Sequence, residues 1–557
     1  MELTDSEGEL VGGPAKGCPF WTRGTFRLRL PTGFYKLSVT RGPFYSPYRE
    51  TPYIEIKDNE ITEIEMPLTP WVALRSQNWY GFDPFVVTAA GTSVGAIPSI
   101  PLAALIAEAE GCDAVFCAAP WWHDPPPNIE PVSDPLKLAD LAVASSTDVL
   151  RVSTSVLYDS RPYYGWFYRM GGGPPIQESL PDDPYVPNAL KMKSAREGGS
   201  AVIVRNPTRG RTARFSSARW NSLSISAALF GELYQVREGF ASELPYDLEA
   251  GLVDAIEIQD DNDICLWFNA LNCGYRISAV RSSGARLGSS IDSLPSPVNY
   301  AFIKGNPTVG DYIEAVRKGR IVFGDGPFVE FTVDSYGPGS VVSCDGQDHF
   351  FHIKCLSRVK VGGSILKAEL IRNGTVVRSY EGQDSPLGEG EAAILPRELR
   401  IAEKEDCWYV VRAFDSSGGV TYTNPIYFRS NSFREDGWLP RTIVLSFSED
   451  LSKQPEIRAE VGDRALPVEL RMLSASRLEV SLSGGFPPET TLLIRVEGKT
   501  EFKVNVFAET VFRAVLKKLS LAVDRNPKCD DPAFFDEFRL FGSSCEIPVT
   551  LEAAENP

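Results

Sequence analysis

Between Leu102 and Phe323 one phrase recurs: an amphipathic helix, a glycine stop, then a short apolar strand. Leu102 to Glu110 ends at Gly111 and feeds Ala114-Val115-Phe116-Cys117, while Asn188 to Glu197 ends at Gly198-Gly199 and feeds Ala201-Val202-Ile203-Val204. Leu248-Glu249-Ala250 ends at Gly251 before Val253 to Ile258; Thr308 caps Val309 to Lys318, Gly319 stops it, and Arg320-Ile321-Val322-Phe323 follows. Short apolar strands alternating with helices are buried on both faces, so the phrase predicts a mostly parallel sheet covered on both sides. Over this length a β/α barrel is the natural closure.

The flanks follow a different period. Up to about residue 70, apolar residues alternate with polar ones: Phe26, Leu28 and Leu30, then Tyr35, Leu37 and Val39, with Ile54, Ile56, Ile64 and Met66 continuing one buried face of a β-meander. Beyond about residue 335 the helical phrases stop and turns dominate, at Asn373-Gly374, Ser416-Ser417-Gly418-Gly419 and Ser483-Gly484-Gly485. Cys407 to Val411 and Tyr422 to Tyr427 fit one sandwich, and Arg441 to Ser448 opens a second. The expected fold is therefore multidomain, α/β plus β. It comprises a β-sandwich over residues 1–70, a β/α barrel over 71–334, β-sandwiches over 335–430 and 431–508, and an unassigned extension over 509–557, in which Val511 to Ser520 is a candidate helix.

A formal charge of −17, from 56 basic and 73 acidic residues, would repel phosphate backbones and anionic membrane surfaces, so no nucleic-acid partner is expected. No apolar run reaches the roughly 18 residues of a membrane span, and Met1 to Asp5 is neither basic nor followed by an apolar core, so neither membrane insertion nor an export signal is expected in this chain. Ten cysteines leave the compartment open. Cys344 with Cys355, and Cys529 with Cys545, bracket expected hairpins and could be bridged; Cys112, Cys117, Cys265 and Cys273 fall in expected core segments. No Cys-x-x-Cys occurs, which removes the usual zinc-ribbon and thioredoxin readings.

In parallel β/α barrels, substrates meet residues at the C-terminal strand ends, where the loops converge. Those loops are Asp83 to Val87, Ala119 to Asp124, Arg205-Asn206-Pro207, Gln259-Asp260-Asp261 and Arg281 to Ala285. They bring Trp79, Tyr80, Trp121, Trp122, Arg205 and Asn206 to the expected mouth as ligand-binding candidates, beside Asp83, His123, Asp124 and Asp260. Aromatic faces next to carboxylates suit a glycan or an apolar small molecule, and equally suit rim packing. Asp260, Asp261 and Asp263 either hold one hard cation such as calcium or form a solvated acidic loop. Gly91-Thr92-Ser93-Val94-Gly95 has the Gly-x-Ser-x-Gly form of a nucleophile elbow, but Pro98 and Pro101 interrupt the helix such an elbow needs.

Trp79-Tyr80-Gly81-Phe82-Asp83-Pro84-Phe85-Val86-Val87 resembles the start of the metallohydrolase domain in the polymerase-and-histidinol-phosphatase (PHP) family, specifically its carbaryl-hydrolase-like (CehA/McbA) branch. There the segment reads Trp-Tyr-x-Gly-Asp-Leu-His-x-His. Trp79, Tyr80 and Asp83 match, while the histidine positions hold Phe85 and Val87. The family's His-Pro is similar to Asn206-Pro207, and its Gly-Ser/Thr-Asp is replaced by Ser282-Ser283-Gly284. Pro31-Thr32-Gly33-Phe34-Tyr35 resembles carboxypeptidase-regulatory-like sandwiches, which precede the hydrolase domain in that family, and the module from Arg441 resembles bacterial Ig-like surface domains.

The resemblance implies a distorted seven-unit, PHP-like β/α barrel flanked by Ig-like β-sandwiches, and a site where histidines and carboxylates hold two or three metals that turn water into hydroxide. Against that, the chain has three histidines, His123, His349 and His352, with only His123 in the barrel segment. His349 and His352 stand three apart in an expected strand, which puts them on opposite faces. Phe85, Val87 and Gly284 offer no ligand atom and Asn206 a weak neutral one. The expectation is a PHP-like chain that has lost its metal chemistry: a non-enzymatic binding or scaffold protein, extracytoplasmic, with a glycan or small molecule at the mouth, protein contacts through the sandwiches, and no cofactor. The alternative is an ester or phosphoester hydrolase with one divalent metal, in which Asp83, His123, Asp124 and Asp260 form the polar centre.

Overall fold

The structure, a computed structural model, describes residues 2–5, 21–42, 45, 53–68, 70, 72–88, 100–121, 135–160, 165–171, 188–207, 244–249, 251–272, 275–287, 295–358, 364–382, 392–429, 442–461, 464–482, 486, 490–499, 501–506, 545–549 and 551. Strands dominate and fall into several sheets. The chain divides into two compact units, one of Met1–Leu157, Met170–Pro175 and Ser278–Phe433, the other of Tyr158–Arg169, Ile176–Ile277 and Arg434–Pro557.

The first unit is built on β1 (Trp79–Thr88), followed by α1 (Ile100–Ala109) and β2 (Ala114–Trp121). β1 and β2 pair in parallel, with a register shift between Asp83 and Val86 where Pro84 has no N–H to give. Ile100, Ala103, Ala104, Ile106 and Ala107 bury one face of α1 against Val86, Val115 and Cys117, so helix and strands share one apolar core, as the recurring phrase requires.

The opposite edge of β1 runs first against β3 (Asn299–Phe302), which is antiparallel to residues 79–82, and then against Arg286–Leu287, which is parallel to residues 87–88. β3 continues through α2 (Val309–Lys318) into β4 (Ile321–Gly324), where the expected helix bounds hold. Thr308 and Asp311 form a capping box, and Gly319 closes the helix in the left-handed region at φ 66°. The expectation of a mostly parallel sheet fails here: β3 and β4 pair antiparallel although a helix joins them. Burial writes the apolar pattern of a strand and direction does not, so helix–glycine–strand reads alike for either pairing.

The sheet does not close after β4. β5 (Phe328–Val333), β6 (Asp348–Arg358), β7 (Ile365–Arg372), β8 (Thr375–Glu381), β9 (Ala392–Ala402), β10 (Cys407–Asp415), β11 (Val420–Thr423) and β12 (Ile426–Arg429) follow, and β4 pairs antiparallel with β11, continuing the first sheet through β10 and β7 to β8. A side chain on Gly324 would stand 2.1 Å from the Val420 carbonyl, so this crossing needs glycine. Sheet β5-β6-β9 packs on the β7–β10–β12 face through Phe331, Phe351, Tyr409 and Phe428, forming a sandwich with one core. Asn373 and Gly374 make the expected two-residue hairpin turn, both left-handed at φ 49° and 85°. Cys344 and Cys355, expected as a candidate bridge, are separate buried thiols.

At the N-terminus, Gly33–Ser38 pairs with both Glu2–Asp5 and Ile54–Ile56 in a small antiparallel sheet. Its core of Tyr35, Leu37 and Val39 takes Leu28, Leu30 and Met66 as half-buried neighbours, but residues 26–30 form no strand and Ile64 is exposed, contrary to the expected meander. An extended segment laid against a small sheet satisfies the same alternation without joining its ladder.

In the second unit, helix Asn188–Glu197 leads into strand Ala201–Arg205, which pairs in parallel with Ala255–Glu257 after helix Leu244–Glu249. Two four-stranded sheets, opened by Thr442–Phe447, enclose a core containing Ile443, Leu445, Leu478, Leu492 and Ile494. Their last strand is Cys545–Val549, parallel to Thr442–Phe447, so part of the stretch that the sequence left unassigned completes this sandwich. The candidate helix Val511 to Ser520 and the turn at 483–485 lie outside the described residues, as does Cys529. No helix among the described residues is long and apolar enough to cross a membrane.

Candidate functional site

Asp83 sits where β1 is least supported as a strand. On one side lies the register shift against β2, and on the other its edge partner changes from β3 to Arg286–Leu287. The polypeptide from Arg281 to Ser296 supplies what the ladder lacks. Asp83 Oδ1 accepts from the backbone N–H of Phe85 at 3.3 Å and of Ser283 at 3.4 Å; Oδ2 accepts from the Ser283 hydroxyl and from the Ser296 N–H at 3.4 Å. The Asp83 side chain is fully buried, and burial pushes its carboxyl up to about 7 against the downward pull of those four donors.

Neighbouring polar groups hold the same loop. Asn299, fully buried, accepts from Arg281 N–H at 2.9 Å and donates to the Arg281 and Phe82 carbonyls at 2.6 and 3.3 Å. The Ala285 carbonyl receives the Val87 N–H at 2.8 Å, and the Arg281 guanidinium lies 3.0 Å from Asp325. These contacts fix the Ser282-Ser283-Gly284 turn against the middle of β1, with Gly284 at φ 69° and open space around it.

The residues here do not fit a dinuclear metal. Phe85 is fully buried and apolar, Val87 is half-buried, Gly284 has no side chain, and the Asp83 oxygens already accept from four donors. Among the described residues no group of three or more histidine, cysteine, aspartate or glutamate side chains gathers as a metal site. His123, Asp124 and Trp122 lie outside the described residues, as does the Gly91 to Gly95 motif; Trp121 ends β2.

The aromatic candidates at the start of β1 are core residues. Trp79 packs edge-on against Phe302 and Phe328, each at 5.3 Å, and the buried Tyr80 donates its hydroxyl to the Gly305 carbonyl at 2.6 Å. Trp79 opens β1, four residues before the Asp83 that receives the Ser283 hydroxyl.

Within the second unit, Arg205 ends one parallel strand, Asn206 follows it, and Glu257 ends its neighbour. Arg205 Nε stands 3.4 Å from Glu257 Oε2, the glutamate being fully buried, and Gln259 Nε2 donates to Glu257 Oε1 at 2.6 Å. Sequence reasoning missed Glu257 and its signal, a charge in the apolar run Val253 to Ile258. Asn206 takes a left-handed turn at φ 45°.

Asp260 and Asp263, considered above as a cation site or solvated loop, cap a helix that the sequence reading missed, Asp261–Asn272. Asp260 Oδ1 accepts from Asp263 N–H at 3.1 Å, and Asp263 Oδ2 accepts from the N–H groups of Gln259 at 2.9 Å and Asp260 at 3.4 Å. Both carboxylates thus meet orphan amides of a first turn. His349 and His352 alternate on β6 as expected: the first is buried, and the second sits half-exposed 3.5 Å from Glu398.

No protein-family model matches the chain, and no curated protein does. Among solved structures, a two-domain protein from Bacteroides vulgatus containing a predicted PHP-like metal-dependent phosphoesterase is similar over 62% of this chain and 95% of that one, at 13% identity and TM-score 0.31. An engineered protein is similar over 59% and 80% of the two chains at 11% identity and TM-score 0.14. A Mobiluncus mulieris adhesin with intramolecular disulfide, isopeptide and ester cross-links is similar over 31% and 80%, at 10% identity and TM-score 0.11. At identities and TM-scores this low, none of these likenesses assigns an activity to the chain.

Proposed function

We propose that this chain is a non-enzymatic binding or scaffold protein of PHP-like, carbaryl-hydrolase-like ancestry. In this reading the β/α sheet serves as a rigid frame, the sandwiches make protein contacts, and the ligand is a glycan or other small molecule, in an extracytoplasmic setting. One observation carries the reading: Asp83, the residue that matches the motif aspartate, accepts four hydrogen bonds from its own loop and the Ser283–Ser296 segment, beside a buried Phe85. A carboxylate so engaged ties β1 to that segment and has no open face for a metal or a water. Activating water at neutral pH needs several nitrogen and oxygen ligands on one metal.

A second reading, a hydrolase with a reduced metal site, draws on one fact. A buried carboxyl pushed up to about 7 beside a register shift in a parallel strand pair is the kind of group that can act as general base. The test is turnover of chromogenic phosphomonoester, phosphodiester and carboxylester substrates by the full chain supplied with zinc, manganese or iron, beside the D83N variant. The scaffold reading expects equal background rates for both. Metal-dependent turnover lost in D83N overturns it.

A further inference from the structure

Two turns meet at His349, which is 7% exposed and packed edge-on against Phe428 of β12 at 5.1 Å. The first turn follows β5. Asp334 and Ser335 there both occupy the left-handed region, at φ 49° and 73°, a costly backbone for residues other than glycine. Asp334 Oδ1 accepts the Phe350 N–H at 2.7 Å, and Asp334 Oδ2 lies 2.6 Å from His349 Nδ1. Desolvation works to raise the Asp334 carboxyl, but these two contacts together hold it below the usual carboxylate range. It therefore stays an anion, which can only accept, and Nδ1 is the donor.

The second turn follows the short strand Val341–Ser343, which pairs in parallel with β12. Its Asp345 sets Oδ1 3.8 Å from His349 Nε2, too far for a hydrogen bond, while the same oxygen accepts the Gln347 N–H at 2.9 Å. Nε2 is buried without a hydrogen-bond partner. Among the described residues, the other charged groups packed on these turns have contacts of their own. Asp406 lies 3.6 Å from the Cys344 thiol, Glu403 pairs with Arg372 at 3.0 Å, the Lys404 chain runs beside Gly346, and the Arg429 guanidinium donates to the Cys407 and Phe428 carbonyls. We propose that the cluster is a pH-responsive clasp, in which proton uptake at His349 Nε2 turns Asp345 from an opposed anion into a hydrogen-bond acceptor and pins the 344–347 turn to β6.

The clasp has two states. With Nε2 bare, a buried lone pair faces a carboxylate, and the turn is held only by its backbone contacts. With Nε2 protonated, the imidazolium stands between two carboxylates, and closing the gap by about 1 Å gives a charge-assisted hydrogen bond. The Asp345 side chain is 43% exposed, so it can make that movement without disturbing the core. Histidine is the side chain whose charge ordinarily changes between pH 5 and 8. Because the closed state binds the extra proton, the clasp is shut at the acid end of that window and released as pH rises through it. His352, on the opposite face of β6 and half-exposed beside Glu398, has no buried nitrogen to satisfy and serves as the control.

The experiment is hydrogen–deuterium exchange of the full chain at pH 5.5 and pH 8, read on peptides covering residues 340–350 and corrected for the intrinsic pH dependence of amide exchange. The Gly346 N–H, which donates to the Glu403 carbonyl at 2.8 Å, reports on the turn. Its protection in the wild type should be roughly tenfold higher at pH 5.5 than at pH 8. D345N and H349Q should each remove that difference, and H352Q should keep it. Should H349Q fail to fold, D345N alters only a half-exposed turn and carries the test. Equal protection at the two pH values in the wild type overturns the proposal. So does a pH difference that survives D345N.

Discussion

The Ser283 hydroxyl donates to the Asp83 carboxylate across 200 residues of sequence, at the point where the edge of β1 changes partner. The bond replaces missing ladder contacts, so its loss should be felt as stability. S283A leaves a fully buried carboxylate short of the one side-chain donor it has among the described residues, at a cost of about 1.5–3 kcal/mol. Urea unfolding at pH 8 should show that loss, and a smaller one at pH 5, where the carboxyl is protonated.

Asp83 also sets a pH dependence. The folded carboxyl holds its proton up to about 7, whereas its ordinary value is 3.8. The folded state therefore binds more protons between these values, and its contribution to stability, complete below about 4, is lost as pH rises through about 7. Three pKa units correspond to at most about 4 kcal/mol. D83N, which has no proton to lose, should flatten the decline of unfolding free energy between pH 5 and pH 8. An unchanged slope in D83N would place the titration elsewhere; Asp113, pushed up to about 6 by burial against the pull of Arg75, is then the group to vary next.

Phe85 occupies a position where the resembling family carries a histidine, and here it is fully buried. F85A should cost about 3–5 kcal/mol through lost burial and the cavity left behind. F85H should also destabilise, because a polar imidazole would take a fully buried position shaped for an apolar ring. Thermal unfolding of both variants measures this, and an F85H chain as stable as wild type would show that the position still accommodates a polar ligand.

The Asp260–Asp263 capping box makes a further distinction. D260A should lower stability by about 1 kcal/mol. Calcium at millimolar concentration should shift the unfolding midpoint of the wild type by no more than that of D260A. A wild-type shift absent from D260A would return these carboxylates to the role of cation ligands.

The cysteine chemistry is checked by thiol counting. Cys344 and Cys355 are buried and unbridged, and burial pushes the Cys355 thiol up to about 12. Both should be silent to a thiol reagent in the native chain and react after unfolding without reductant. A mass lower by two hydrogens across that pair would show the bridge instead.

What the sequence determined alone is local. The helix Val309–Lys318 has its start written in Thr308 and Asp311 and its end in Gly319, because a cap requires only residues within one turn. The Asn373-Gly374 hairpin is legible for the same reason, as are the alternating faces of His349 and His352. Tertiary structure decided the rest. The direction of β4 against β3 and its pairing with β11 depend on which edges are left open, and the apolar run of β4 does not encode that choice. Ser283 meets Asp83, Glu257 meets Arg205, and Asp345 faces His349 only because distant or turning backbone places them together. Side-chain chemistry is written in the sequence one residue at a time, whereas a site is a distance between residues, and the packed core sets that distance.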